Sequence, residues 1–200
     1  CLPGRAGTVL RGVIPSGQEI SSSLQGAWQL IFLDPNAMDH FTVTIDGFWR
    51  SFFAAVVALP YFLVAIIWPA PAPEGAPLWE PNAVLATLGY ILSWIIFPIV
   101  AAFVARQFEL TQRYIGYIIA FNWSGALVAQ PLLVMEFMGH AGLIGANTLG
   151  ALHMPIFVFV LFYGWAIARI ALGASTWLAA GLIFIAKMID MVIVALMMQP

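Results

Sequence analysis

Charge is scarce in this sequence. Asp, Glu, Lys and Arg make up 8% of its 200 residues, against about 25% in soluble domains. That scarcity excludes a solvated globular surface. Cysteine is rarer still, and Cys1 alone permits neither an intramolecular disulfide nor a cysteine-based metal cluster. Histidine occurs at His40, His140 and His153 only, none at the middle of an apolar run, so no two helices could clasp a haem. One His beside one Asp, as at Asp39-His40, falls short of the three protein ligands that zinc needs. There is no Gly-rich phosphate loop, no His-Glu-x-x-His and no Gly-x-Ser-x-Gly. The seven basic residues are dispersed and form no nucleic-acid patch. The expectation is a protein that is not an enzyme, carries no cofactor and binds no nucleic acid.

What the chain does have is long apolar runs, with 62% hydrophobic residues overall. A helix needs about 20 apolar residues to cross a bilayer core. Five runs qualify: 48–68, 84–105, 115–138, 152–172 and 176–198. They do not alternate with the two-residue period of a membrane β-barrel strand. The expected fold class is therefore all-α, a polytopic membrane helical bundle of five transmembrane helices behind an N-terminal amphipathic helix. Residues 1–20, Gly-rich and without apolar periodicity, are expected to be a disordered tail or a wrongly assigned start. A lipidated Cys1 would place that end outside the cytoplasm and conflict with the orientation that follows.

Short connections make neighbouring spans antiparallel. The Pro-rich stretch 69–83 reads as an exposed loop, since proline removes donors and blocks helix. "GAS" at 173–175 makes the tightest turn. Arg50, Arg106, Arg113 and Arg169 then fall on one side of a five-span arrangement, while the first loop, with Glu74 and Glu80, carries no basic residue. The positive-inside rule places the N-terminus in the cytoplasm and the C-terminus outside. In a bacterium this is a multi-pass inner-membrane protein with a periplasmic C-terminus. Trp49, Trp68, Trp79 and Trp177 lie near span ends, where indole rings anchor among headgroups.

Before the first span, Leu24, Trp28, Ile31 and Phe32 recur at helical spacing. With Ser21 to Ser23 as cap, 21–33 is expected to be an amphipathic helix on the inner membrane surface, within a lead-in covering 21–47. Asp34-Pro35 signals a helix start, and Asp46 is expected to cap the first span. Asp34, Asp39 and Asp46 are expected to hold the lead-in against loop arginines.

The lead-in "LDPNAMDHF" and "DGFWRSFF", followed by five spans with an Arg-flanked second loop, resembles bacterial inner-membrane proteins of the YIP type. These are distant relatives of the Rab-interacting membrane proteins of the eukaryotic secretory pathway. The resemblance covers residues 24–198 in topology. It implies a five-span fold and a non-catalytic, membrane-organising or partner-binding role. The Asp-Leu-Tyr-Gly-Pro run of eukaryotic members is missing, so no family residue carries over.

Polar residues inside the spans are the remaining candidates. Asn122, Gln130 and Glu136 share an arc of about 120° on the third span, and could form a polar pathway or interhelical hydrogen bonds. Gly116, Ala120 and Ser124 make a small-residue stripe that lets another helix approach, and Gly164 and Ala168 make a second on the fourth span. Lys187 and Asp190 lie three apart on the fifth and share a face. A mid-membrane charge costs about 2.5–3.5 kcal/mol, so the two serve either as a proton or ion relay or as a self-neutralising pair. The alternative function is thus a small transporter or channel using Glu136, Lys187 and Asp190. Expected partners are the lipid bilayer and a membrane-protein partner or a second copy.

Overall fold

The computed structural model describes residues 14–68 and 82–197. The expectations for Cys1 and the tail up to residue 13, for Trp79 and the Pro-rich stretch over 69–81, and for the final residue of the fifth span lie outside the described residues.

Helix α1 runs Gly17–Ile31. The Ser16 hydroxyl accepts the Glu19 N–H at 3.1 Å, and Glu19 adds a negative charge to the positive end of the helix. The helix thus begins four residues before the expected Ser21, and the boundary placed between residues 20 and 21 falls inside it. Leu33 takes a left-handed φ of 59°, which stops the helix. Asp34 then caps a short 3-10 helix, Pro35–His40, by accepting the Asn36 N–H at 2.9 Å.

Helix α2 spans Ile45–Ser51 and α3 spans Phe53–Ile67. The cap of α2 is Thr44, whose hydroxyl accepts the Gly47 N–H at 3.0 Å. This corrects the expectation for Asp46, which sits in the first turn. Helix α4 covers Ala83–Gln107, capped by Asn82, and α5 covers Thr111–His140. Helix α6 covers Ala146–Ile167 and closes in a wider π turn over Ala168–Leu172. Gly173 reverses the chain at φ 70°, and α7 covers Thr176–Met197. Among the described residues, five stretches are long and apolar enough to cross a membrane: Ile45–Ile67, Ala83–Gln107, Thr111–His140, Ala146–Leu172 and Thr176–Leu196. The chain is a polytopic helical membrane protein. Its helices overrun the apolar runs by up to six residues, as at Ala146, because backbone hydrogen bonding continues past the hydrocarbon edge.

Helix α5 is the centre. Half of its most apolar stretch is buried in protein, against 17% for Ile45–Ile67. It packs against α1, α2, α3, α4 and α6, while α7 rests on α4 and α6. Tyr117, Ile118, Ala120 and Trp123 on α5 are fully enclosed. The outer faces carry exposed Ile99, Phe103, Phe157 and Phe184, the surface that lipid would cover. Exposed Trp49, Trp68 and Trp177 stand at helix ends.

The small-residue stripe on α5 receives the lead-in as well as a span. A Cβ at Gly116 would touch Met38 and Val43, so there the close approach admits the segment before α2. Ala120 and Ser124 are buried above it. The second stripe works between spans: Gly164 admits the Ile183 side chain of α7. The arginines share one end of the bundle. Arg113 lies against Gly173 where any side chain would clash, and Arg169 donates to the Ala174 carbonyl at 2.9 Å. Arg106 is exposed at the end of α4.

The lead-in helix does not turn Trp28 and Phe32 towards the protein. Its buried face is Ser23, Gly26, Ala27 and Leu30, whereas Trp28 and Phe32 are 55% and 67% exposed. Gly26 admits the 3-10 helix, where a Cβ would meet Ala37, His40 and Phe41, and Ala27 meets Tyr163 of the bundle. Nor do Asp34, Asp39 and Asp46 supply its ion pair. Glu19 does, with Arg50 Nε 2.9 Å from its carboxylate.

The lead-in geometry makes Gly47 sensitive, because a Cβ there would overlap the Thr42 carbonyl oxygen. Backbone cannot swing away as a side-chain tip can, and overpacking costs about 1–3 kcal/mol. Gly47→Ala is therefore expected to lower the thermal midpoint in detergent by several degrees. Gly150→Ala, where nothing lies within 4 Å, serves as the neutral control. Equal midpoints for the two variants would contradict the packing.

Candidate functional site

All five spans contribute to one half-open cavity of about 350 Å³. Its walls are mostly aromatic and aliphatic, with Tyr61, Trp94, Phe97 and Phe121 among them. Pro98 on α4 also lines it. A helix proline removes a backbone N–H and its ring pushes the preceding turn aside. The residues around these prolines recruit side chains as partners. Near Pro60, the Ala55 carbonyl accepts the Tyr90 hydroxyl at 2.5 Å and the Val57 carbonyl accepts the Gln130 amide at 3.2 Å. The Pro98 carbonyl accepts the Tyr114 hydroxyl at 2.9 Å.

Lys187 and Asp190 both line this cavity. Lys187 Nζ donates to Asp190 Oδ2 at 2.7 Å, and the side chains are 30% and 48% exposed. Lys187 lies eleven residues into α7, roughly 16 Å along its axis at about 1.5 Å per residue, so the pair stands near mid-span. The pair is neutral as a unit, and each charge is the other's nearest compensation.

Opposite this pair, two polar residues of α5 reach the cavity wall. Asn122 is 2% exposed, and its amide donates to the Ser51 hydroxyl at 2.9 Å. Ser51 in turn donates to the Phe48 carbonyl at 2.7 Å. Ser124 lies 2.7 Å from the Tyr163 hydroxyl, which lies 2.6 Å from the Ala27 carbonyl. A phenol has one proton to give. With Tyr163 donating to Ala27, the Ser124 hydroxyl donates to Tyr163, and a directed chain runs from the cavity wall into α1. This wall thus holds the start of the first span at Ser51 and the lead-in at Ala27.

Asn122, Gln130 and Glu136 share an arc of α5 but not a pathway. Gln130 spends its amide on the carbonyls of Val57 and Ala126. Glu136 is buried near the opposite end, with His153 Nε2 at 3.6 Å, while His153 Nδ1 lies 2.9 Å from the Leu149 carbonyl. At 3.6 Å the Glu136 contact is electrostatic only, and only when the imidazole is charged. Lys187 and Asp190 line the cavity, and Glu136 is not among its lining residues. At that same end His140 stacks on Trp68, with centroids 4.1 Å apart.

Three contributors escaped the sequence reading. Glu19 sits in a Ser-x-x-Glu pattern with Ser16, a recognisable helix-start signal. Tyr163 carries a hydroxyl inside an apolar run, and a buried phenol needs a partner. Ser51 offered no signal of its own. The chain matches no protein-family model, no curated protein and no solved structure.

Two outcomes follow from the bonding. Tyr163→Phe leaves the Ala27 carbonyl and the Ser124 hydroxyl without this partner, a cost of about 1–3 kcal/mol. It is expected to expose α1 to protease in detergent while the five spans stay protected, and wild-type cleavage kinetics would refute the tie. Lys187→Met alone leaves Asp190 unpaired at a cost of about 2–3 kcal/mol. Lys187→Met with Asp190→Leu is expected to be the more stable of the two in thermal unfolding, since it removes both charges. A double variant less stable than the single would contradict self-neutralisation.

Proposed function

We propose that this is a non-catalytic, YIP-like membrane protein that organises membrane or binds a partner through its lead-in. The observation that carries this reading is the orientation of α1. Its small-residue face is fastened to the bundle, which leaves Trp28 and Phe32 outward, with ring centroids 5.6 Å apart. Exposed Trp49 stands in the neighbouring element, and the arginines lie at the same end of the bundle. An aromatic face held outward on a rigid base is the composition of interaction surfaces and of interfacial anchors. By the positive-inside rule this end faces the cytoplasm of a bacterial inner membrane.

A second reading has its own observation. The cavity brings Lys187 and Asp190 to mid-depth, where an ionisable residue by default suggests a transport path. Glu136, the third residue of this reading, does not line the cavity.

The readings separate in two measurements. A photocrosslinking residue at Trp28 in native membranes is expected to form a defined adduct with a protein, a second copy or lipid. An unlabelled, fully hydrated position 28 would sink the first reading. In proteoliposomes carrying a pH-sensitive dye, the protein is expected to conduct no protons. Proton flux that disappears in Lys187→Met with Asp190→Leu would establish the second reading instead. A C-terminal reporter fusion is expected to report the side opposite the arginines, and a cytoplasmic C-terminus would overturn the orientation.

A further inference from the structure

The cavity has a chemistry that the interaction reading does not use. Its size falls in the range of small-molecule sites, about 300–1,000 Å³, and its walls are largely ring systems, among them Trp94, Phe97, Phe121 and Tyr163. Such sites combine apolar walls with a few placed polar groups. Here the placed group is the Lys187–Asp190 pair. Its net charge is zero, so a charged ligand would enter without a counter-charge and lose its hydration uncompensated. A neutral ligand meets no such penalty.

The pair also has directional demand. An ammonium has three N–H donors and no acceptor, and one of Lys187's points to Asp190. Most of the wall is apolar and cannot receive the others. A carbonyl oxygen can. The Lys187 side chain also borders a second hollow on the outer face between α6 and α7, together with Phe162, Trp165, Phe184 and Met188. Phe162 and Phe184 are exposed where lipid would lie. Lys187 therefore borders both the cavity and the hollow on the outer face.

We propose that this cavity is a binding site for a neutral, membrane-dissolved carbonyl compound, with its ring or chain among the aromatic walls and its oxygen accepting from Lys187 Nζ. The site stands on the cavity and its pair, and does not depend on the interaction reading.

The probe is a decyl-substituted benzoquinone, titrated against the purified full chain in lipid nanodiscs, with tryptophan quenching as readout, because Trp94 lines the cavity. Decylbenzene and decanoate are the controls: one lacks the oxygen and the other is anionic. Saturable binding of the quinone alone is expected. Lys187→Met with Asp190→Leu should weaken it about tenfold or more, the loss of a charge-assisted hydrogen bond. Gly125→Leu supplies a test that leaves the pair intact. A Cβ at Gly125 would meet only Trp94, at an ordinary 3.8 Å, and the added side chain would fill the cavity on a helix that favours leucine over glycine. It should abolish saturable binding while circular dichroism and the thermal midpoint stay at wild-type values. Equal binding of decylbenzene, tighter binding of decanoate, unchanged affinity in a folded Gly125→Leu, or no saturable phase at all (a cavity holding water only) would each overturn the proposal.

Discussion

Polar groups inside a bilayer have no water to turn to, so each must be satisfied by the protein itself. In this chain most of that demand converges on α5. Its Asn122 bonds to Ser51, its Ser124 to Tyr163, and its Gln130 to a carbonyl beside Pro60. Each bond joins α5 to a different part of the chain. Together they place α2, α6, α3 and, through Tyr163, α1 around one helix. Individually such bonds contribute only about 0.6–2 kcal/mol. Their weight lies in direction, since each fixes which element lies against which face of α5.

Close approach is the second condition, and it follows from side-chain size. Gly116, Gly164 and the small face of α1 lower the distance at which backbones meet. The dispersion contacts so gained are individually small and collectively large. This explains how a lead-in without lysine or arginine is held firmly. It is fastened by shape, by the Tyr163 hydroxyl, and by the Glu19–Arg50 pair at 2.9 Å. Because it is held by its small face, its aromatic face is left outward.

The cavity arises from the same arrangement. Five helices cannot close around α5 without leaving space where Pro98 and the aromatic residues of α4 prevent tight packing. The Lys187–Asp190 pair projects into that space. On the cavity walls Asn122 bonds to Ser51 of the first span and Ser124 reaches the lead-in through Tyr163, while Lys187 and Asp190 of α7 carry the charges. Occupancy of the cavity and docking of α1 share the Ser124–Tyr163 wall, which gives a physical route between the interior and the aromatic surface.

The sequence by itself determined the number of spans, their approximate positions, the grouping of the arginines at one end and the adjacency of Lys187 and Asp190. These depend on local quantities: apolar length, loop length and helical spacing. Tertiary structure alone decided which face of α1 is buried, that Glu19 rather than Asp34, Asp39 or Asp46 meets Arg50, and that Asn122, Gln130 and Glu136 serve three separate partners. A shared arc on one helix brings side chains to the same side, but their partners lie on other helices. Helix spacing specifies direction and not neighbour, and the neighbours come from how the other helices pack against α5.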